Sequence, residues 1–380
     1  MSQRACRVRM RMCVVGVAAC LVGGAVIAGD LNPPAGPVMP TMKTLDEVEP
    51  RIPLDPADVP IIINQSGSYY LTGNIQATVS GTVAITIAAD DVTLDLMGHA
   101  ITNSEIAFFS SGIALTTAAD NASVTNGTIS GCSADGVSGD TAPPFTVTRL
   151  RVDSCGAFGI RGSAGTMVEH CVARGNLEGI RVGVGGVIDS CIASDNTLDG
   201  IETAQSVTVR RCTANSNGQS GINTGALSDV RECRTIDNGL DGVFLNGGGS
   251  ATGCFSYNNG RNGISSTGAG RIDACTALAN DLHGIEVLND CQVISNICDN
   301  NGVLSTEGAG IYGSGSDCRI ESNTLTDNDY GVRVISNGNL IVRCSASGNS
   351  VANFNLAAGN DSGTIQTSPV GAGAWDNFEF

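Results

Sequence analysis

The feature that most constrains this chain is a repeat of about 21 residues that begins after residue 60. Cysteines recur at spacings of 20 or 21 residues, and an asparagine stands five residues after each of them. The cysteine column is Cys171, Cys191, Cys212, Cys233, Cys254 and Cys275, and Asn296, Asn323 and Cys344 continue it. The asparagine column is Asn176, Asn196, Asn217, Asn238, Asn259, Asn280, Asn301, Asn328 and Asn349. A repeat that cannot bury its own apolar side must stack on its neighbours, so the columns predict a solenoid.

A third column, in which glycine precedes Ile or Val, runs from Gly112-Ile113 to Gly331-Val332. Each row holds two or three short alternating strands, such as residues 207–209 and 212–214, and no segment keeps a period of 3.6. Helical solenoids are therefore excluded, and sparse leucine argues against leucine-rich repeats. We predict an all-β parallel β-helix of about twelve or thirteen coils, with roughly 21 residues and a rise of about 4.8 Å per coil.

The row from residue 206 to 222 resembles the right-handed parallel β-helix repeat of pectate-lyase-like and NosD-like exported bacterial proteins. The segments 68–75 and 91–96 are similar to the first coils of such proteins. The resemblance implies a right-handed parallel β-helix over residues 61–368. It implies no particular activity, because the same scaffold carries lyases, hydrolases, epimerases and adhesins.

The N-terminal segment predicts export. Residues 1–28 combine four arginines with an apolar run that ends on small residues, which is typical of a secretory signal peptide. A membrane anchor is one alternative, although the run is shorter than the ~20 residues that span a bilayer. A lipoprotein with its lipid on Cys20 is another. We therefore expect a secreted or cell-surface protein with no integral membrane segment after processing.

The two ends of the repeat region are expected to be covered, because exposed strand edges promote aggregation. Residues 29–60 hold eight of the eleven prolines and predict a semi-extended leader, with a short helix near residues 42–48. Residues 369–380 form the expected C-terminal cap or tail, in which Trp375, Phe378 and Phe380 lie across the last coil.

Charge narrows the range of partners. The 20 basic and 37 acidic residues give a net charge of −17, and removal of the four arginines in residues 1–28 gives −17 − 4 = −21. Such a surface argues against binding DNA, RNA or anionic membranes. Three histidines and 4% aromatic residues favour neither a haem pocket nor a His-rich metal centre. We expect no cofactor and no metal, and the oligomeric state is not predicted.

The cysteine and asparagine columns are interpreted as structural ladders. Inward-facing cysteines act as small apolar side chains, and parallel stacking keeps their Cβ atoms too far apart for most disulfides. Stacked asparagine carboxamides satisfy polar backbone groups at a turn of each coil.

The residues beside each glycine of the third column predict one outer face. Its richest set of ionisable groups, and our candidate carbohydrate-binding site, is Asp199, Glu202, Asp241, His283 and Glu286. Carboxylates one or two coils apart would be separated by about 5 or 9.6 Å, which permits glycosidase chemistry. The motifs of polygalacturonases and pectate lyases are incomplete, so no catalytic residue is assigned.

Two hypotheses follow for the function. The first is a non-catalytic exported protein that binds glycans or contributes to the cell surface. The alternative is a polysaccharide hydrolase or lyase that uses Asp199, Glu202, Asp241 and His283.

Overall fold

The computed structural model describes residues 51–104, 106–304 and 306–380. The expected signal peptide, Cys20 and the expected helix near residues 42–48 lie outside these residues. Every strand pairing in the described part is parallel, and the strands form one sheet of 14 and one of 28. A single 3-10 turn, Pro56–Asp58, interrupts them near the start. No helix among the described residues is long and apolar enough to cross a membrane.

The 14-stranded sheet contributes one strand to each coil. Its strands are Ile61–Ile63, Val83–Ile87, Ser111–Leu115, Val137–Gly139, Phe158–Gly162, Glu178–Val182, Ile201–Thr203, Ile222–Thr224, Val243–Leu245, Ile264–Ser266, Ile285–Val287, Ala309–Gly313, Tyr330–Val334 and Ala352–Leu356. A glycine of the third column lies in or directly before eleven of these strands, and the first two strands and the last have none. The predicted parallel β-helix is confirmed, and the number of coils is slightly higher than the twelve or thirteen expected, because the coils at the two ends lack the columns that mark a repeat in the sequence.

The 28-stranded sheet supplies the other two faces of each coil. Its strands are Ile52–Leu54, Gly67–Leu71, Ile75–Gln76, Val92–Asp95, Ala100–Thr102, Ser123–Ser130, Thr146–Asp153, Met167–Glu169, Val172–Arg174, Val187–Asp189, Ile192–Ser194, Thr208–Arg210, Thr213–Asn215, Asp229–Arg231, Arg234–Ile236, Ser250–Thr252, Phe255–Tyr257, Arg271–Asp273, Thr276–Leu278, Gln292–Ile294, Ile297–Asp299, Arg319–Glu321, Thr324–Thr326, Leu340–Val342, Ser345–Ser347, Asp361–Ser362, Ile365–Gln366 and Asn377–Glu379. Thr146–Asp153 pairs with both Met167–Glu169 and Val172–Arg174, which joins the two faces into one sheet.

Three left-handed residues turn the chain in each regular coil. In the coil that follows Asp189 these are Ser190, Asp195 and Ser206, with φ of 54°, 56° and 59°. A left-handed residue other than glycine costs about 1–2 kcal/mol. Each one is followed by an inward-facing side chain that is buried in the core, here Cys191, Asn196 and Val207, and this packing offsets the cost.

The two ladders stack as the sequence predicts. The Asn217 carboxamide donates to Oδ1 of Asn238 at 2.9 Å, and the backbone N–H of Asn217 donates to the same oxygen at 3.2 Å. The twelve cysteines of the described residues are buried free thiols. Their sulfur atoms lie near backbone groups, as where Cys212 Sγ donates to the Arg210 carbonyl at 3.2 Å. The asparagine ladder and the coil register it implies are thus confirmed.

The 28-stranded sheet begins and ends outside the most regular coils. Ile52–Leu54, within the proline-rich segment, pairs with residues 69–71. At the other end, Phe378 pairs with Ser345 in the strand Asn377–Glu379, whereas the side chains of Trp375 and Phe380 are exposed.

Candidate functional site

The outer face of the 14-stranded sheet carries a straight row of side chains. Consecutive coils place them opposite one another in the order Arg161, Arg181, Glu202, Asn223, Phe244, Ser265, Glu286, Tyr312 and Arg333. The spacing between parallel strands sets these positions about 4.8 Å apart along the solenoid axis. The site is therefore an extended surface with repeated positions.

A second row lies just before the glycine column and is mostly buried. Asp199 is 7% exposed, Asp241 2% and His283 5%. Glu202 and Glu286, in the outer row, keep partly exposed side chains. The five predicted residues lie along one face, but three of them point into the turn of the coil instead of outward.

Asp199 and Glu202 form the first of two groups on this face. The carboxylate of Asp199 accepts hydrogen bonds from the Ser220 backbone N–H and from Asn223 Nδ2, both at 2.8 Å. Burial raises the pKa of Asp199 in spite of these donors. Glu202 lies 3.5 Å from the guanidinium of Arg181. These contacts hold the turn together and leave Glu202 as the outward carboxylate.

Glu178 joins this group, although the sequence did not single it out. Burial, followed by a hydrogen bond and repulsion from Glu202, raises its pKa to about 7. Glu178 is therefore partly protonated near neutral pH. Like Asp199, Glu178 stands just before a glycine of the third column, and this position was the feature of the sequence that could have identified it. Its partial burial was not visible there.

Asp241 and Glu286 belong to the second group, where Arg261 bridges them. Arg261 Nε lies 3.2 Å from Asp241, and its Nη2 lies 3.6 Å from Glu286. Asn262 also connects the two acids, because its backbone N–H donates to Asp241 at 3.1 Å and its Nδ2 to Glu286 at 2.7 Å. Burial raises the pKa of Asp241 to about 6, against the opposing effect of Arg261.

His283 is held as a neutral ring. The backbone N–H of Ala309 donates to its Nδ1 at 3.0 Å, so the neutral imidazole carries its proton on Nε2. Burial, together with Arg333 and Arg261, lowers its pKa to about 4. With Nδ1 occupied and Nε2 protonated, His283 has no free lone pair with which to accept a proton from a substrate.

An aromatic segment continues the face beyond His283. The rings of His283 and Tyr312 stack with centroids 4.4 Å apart. The guanidinium of Arg333 lies over Tyr330 at 4.8 Å and over Tyr312 at 5.7 Å. The sequence placed Tyr312 and Tyr330 in the two rows but did not include them in the candidate site, because only ionisable groups were ranked.

A shallow depression of about 370 Å³ lies at the opposite end of the face. Arg161 and Arg181 line it together with Asp140 and Ser163. Arg161 is already paired, at 3.2 Å with Asp135 and 3.4 Å with Asp140. Within the described residues, no group of three or more His, Cys, Asp and Glu side chains is arranged to hold a metal ion.

The stacked parallel coils and the in-register row of side chains define a β-solenoid protein with a long lateral surface. The model of the right-handed β-helix region matches residues 61–225 and 157–253, which together span just over half of the chain. The chain therefore belongs to the right-handed β-helix family.

Solved structures of the same fold are distant in sequence. The A-module of mannuronan C-5 epimerase AlgE4 from Azotobacter vinelandii is 16% identical, with a TM-score of 0.55 over 78% of this chain and 91% of that chain. A double mutant of the periplasmic alginate epimerase AlgG is 12% identical, with a TM-score of 0.52 over 73% of this chain and 77% of that chain. At these identities the likeness shows the fold alone. No curated protein sequence matches the chain.

Proposed function

We propose that this protein is exported and binds a neutral polysaccharide along the outer face of its 14-stranded sheet. The observation that carries the proposal is the in-register row from Arg161 to Arg333. A polymer of similar units that lies along the solenoid axis meets an equivalent position on each coil. A straight row of this kind fits a chain-like ligand better than a compact one.

The aromatic segment supports a sugar ligand. The partly exposed rings of Tyr312 and Tyr330, which stack with His283 and Arg333, lie beside polar groups on the same face. Phe244 lies three coils before Tyr312 in the row. Aromatic rings pack against apolar surface while neighbouring polar groups form hydrogen bonds. Sugars offer both kinds of surface, so this segment is the most suitable part of the face for contact with a glycan.

The pairing of charges favours a neutral ligand. Arg161, Arg181, Arg261 and Arg333 each lie within 4 Å of at least one carboxylate oxygen. A polyanion would have to compete with these acids and would also meet a chain of net charge −17. A neutral polysaccharide avoids both costs.

The enzyme alternative receives less support from the geometry. His283 has no free lone pair, and both Asp199 and Asp241 are buried and engaged with backbone N–H groups. The names of the two structural relatives, a mannuronan epimerase and an alginate epimerase, support a polysaccharide ligand, but their likeness extends to the fold only.

Replacement of Tyr312 by alanine tests the binding face. We expect affinity for a panel of neutral polysaccharides, measured by affinity electrophoresis or calorimetry, to fall about three- to tenfold, because an aromatic contact is worth about 0.5–1.5 kcal/mol. The control is Tyr257→Ala, which removes a tyrosine that is 40% exposed on the 28-stranded sheet. Equal losses in the two variants, or binding of acidic glycans alone, would contradict the proposed site or ligand.

The same panel separates a binder from an enzyme. Assays for new reducing ends and for absorbance by unsaturated uronates are expected to show no turnover. Turnover that Asp241→Asn abolishes would replace the binding proposal with the hydrolase or lyase alternative.

A further inference from the structure

The last strand of the 14-stranded sheet has an open edge. Ala352–Leu356 pairs with Tyr330–Val334 on one side and has no strand partner on the other among the described residues. The 28-stranded sheet differs at this end, because Asn377–Glu379 pairs with Ser345–Ser347 and covers it. An uncovered strand edge presents unpaired N–H and C=O groups that favour pairing with another strand.

Apolar side chains are incompletely buried at the same edge. Phe354 and Leu356 face the core but are only partly buried, whereas their partners in the preceding coil, Val332 and Val334, are buried. Val351, just before the strand, is 55% exposed. A further strand placed on this edge would cover Phe354 and Leu356 and extend the core by one layer.

The edge is also uncharged. Residues 344–360 contain no Asp, Glu, Lys or Arg, in a chain that is 15% charged and has a net charge of −17. Two copies of so acidic a chain repel each other over most of their surfaces. This end is one place where two copies can approach without that repulsion.

The strand at the other end of the 14-stranded sheet, Ile61–Ile63, also has one strand partner among the described residues, but it differs from the C-terminal edge in its side chains. Ile61 and Ile63, the inward residues of the first strand of the 14-stranded sheet, are buried. Pro60 precedes that strand and Pro53 lies in the first strand of the other sheet, and proline provides no N–H for pairing. Head-to-tail stacking is therefore disfavoured, which leaves contact between two identical C-terminal ends.

We infer that the protein forms a two-fold symmetric dimer in which strand Ala352–Leu356 pairs antiparallel with the same strand of a second copy. The strand has five residues with Phe354 at its centre, so a two-fold axis there places Phe354 opposite Phe354 and residue 352 opposite 356. Phe354 and Leu356 face the core, so the apolar interior continues from one copy into the other. The two lateral faces of the proposed glycan site then extend in opposite directions from the junction, and the dimer does not depend on whether that site binds sugar.

Light scattering coupled to size exclusion tests this dimer with two variants of opposite charge. Asn355→Lys and Asn355→Glu change an exposed side chain next to the two-fold axis, so the fold is retained, which a thermal melt verifies. We expect the purified full chain to have twice the mass of one chain at micromolar concentration. Both variants should weaken dimerisation about three- to tenfold, because residue 355 lies opposite residue 353 in this pairing and the two copies of residue 355 are diagonal neighbours about 7–8 Å apart. Like charges at that distance repel each other whatever their sign.

The matched control is Ile192→Lys, which introduces a lysine at an exposed position on the side of the solenoid, away from the junction. It is expected to remain dimeric. A monomeric wild-type chain, a dimer that both Asn355 variants leave unchanged, or a series of higher oligomers from head-to-tail stacking would each overturn the inference. Loss of the dimer in the glutamate variant alone would also overturn it, because that result indicates an acidic contact partner outside the two-fold junction.

Discussion

At the scale of a single residue, Asn238 shows how the asparagine ladder works. Its Nδ2 donates to the Ala214 carbonyl at 3.1 Å and to Asn259 Oδ1 at 2.9 Å. Its Oδ1 accepts from both the backbone N–H and the side-chain Nδ2 of Asn217. One buried carboxamide therefore satisfies polar groups in the coils on both sides of its own, and no apolar side chain of similar size can do so.

Replacement of Asn238 by leucine should lower the free energy of unfolding by about 1–3 kcal/mol, because the backbone N–H of Asn217 and the Ala214 carbonyl lose their partner. Chemical denaturation followed by circular dichroism measures the change. Asn215→Leu is the matched control, since Asn215 is a partly exposed residue in a strand of the preceding coil. An Asn238 variant as stable as wild type would show that the ladder contributes nothing to stability.

At the scale of an element, the turn that contains Asp241 makes the free energy of unfolding depend on pH. Its pKa is raised by burial from 3.8 to about 6, so the folded chain keeps this proton at pH values where the unfolded chain has released it. The free energy of unfolding therefore falls as pH rises from about 4 to 6, by up to about 3 kcal/mol from this group, and stays lower above that range.

The variant Asp241→Asn should lose this part of the pH dependence. Asparagine preserves an acceptor for the Asn262 N–H, and Arg261 keeps Glu286 as a partner. Urea denaturation at pH 4 and pH 8 measures the slope, which should be smaller than in wild type. The control is Asp195→Asn, at an exposed corner paired with Arg174. If the free energy of unfolding changed equally between pH 4 and pH 8 in wild type and in the Asp241 variant, the folded protein would not hold the Asp241 proton over this range.

How much the sequence could predict also differs from element to element. The columns predict register, because a side chain in a solenoid has its equivalents directly above and below it. They do not predict burial at a corner: Asp199, Asp241 and His283 occupy positions next to outward residues, yet they turn into the coil to accept backbone N–H groups. The aromatic segment was missed for a related reason, since the stacking of His283 on Tyr312 depends on a ring orientation that spacing does not specify.

At the scale of the whole molecule, the buried apolar side chains form one continuous core along the stack of coils. Each coil contacts only its neighbours, so burial of any cysteine depends on the coils above and below it. The twelve thiols of the described residues should consequently be unreactive toward a disulfide reagent in the native state and become reactive together on unfolding.

Titration with a chromogenic thiol reagent, with and without denaturant, checks this expectation. Ile192→Cys is the control, because it places a thiol at an exposed position on the side of the solenoid and should react at once. Rapid reaction of several thiols in the native wild-type protein would indicate that the coils separate locally far more often than a tightly packed solenoid allows.

One coil shows what this construction permits. Asn301 and Asn328 are 27 residues apart instead of the usual 21, yet Asn301 Nδ2 still donates to Asn328 Oδ1 at 2.9 Å. Gly302 and Gly308, on either side of the additional residues, lie against each other, so the stacking of the asparagine ladder is the same as in the shorter coils. The length of a loop at a corner and the stacking of the coils along the solenoid axis are thus independent in this fold. A new surface loop can be acquired at a corner without any compensating change in the core.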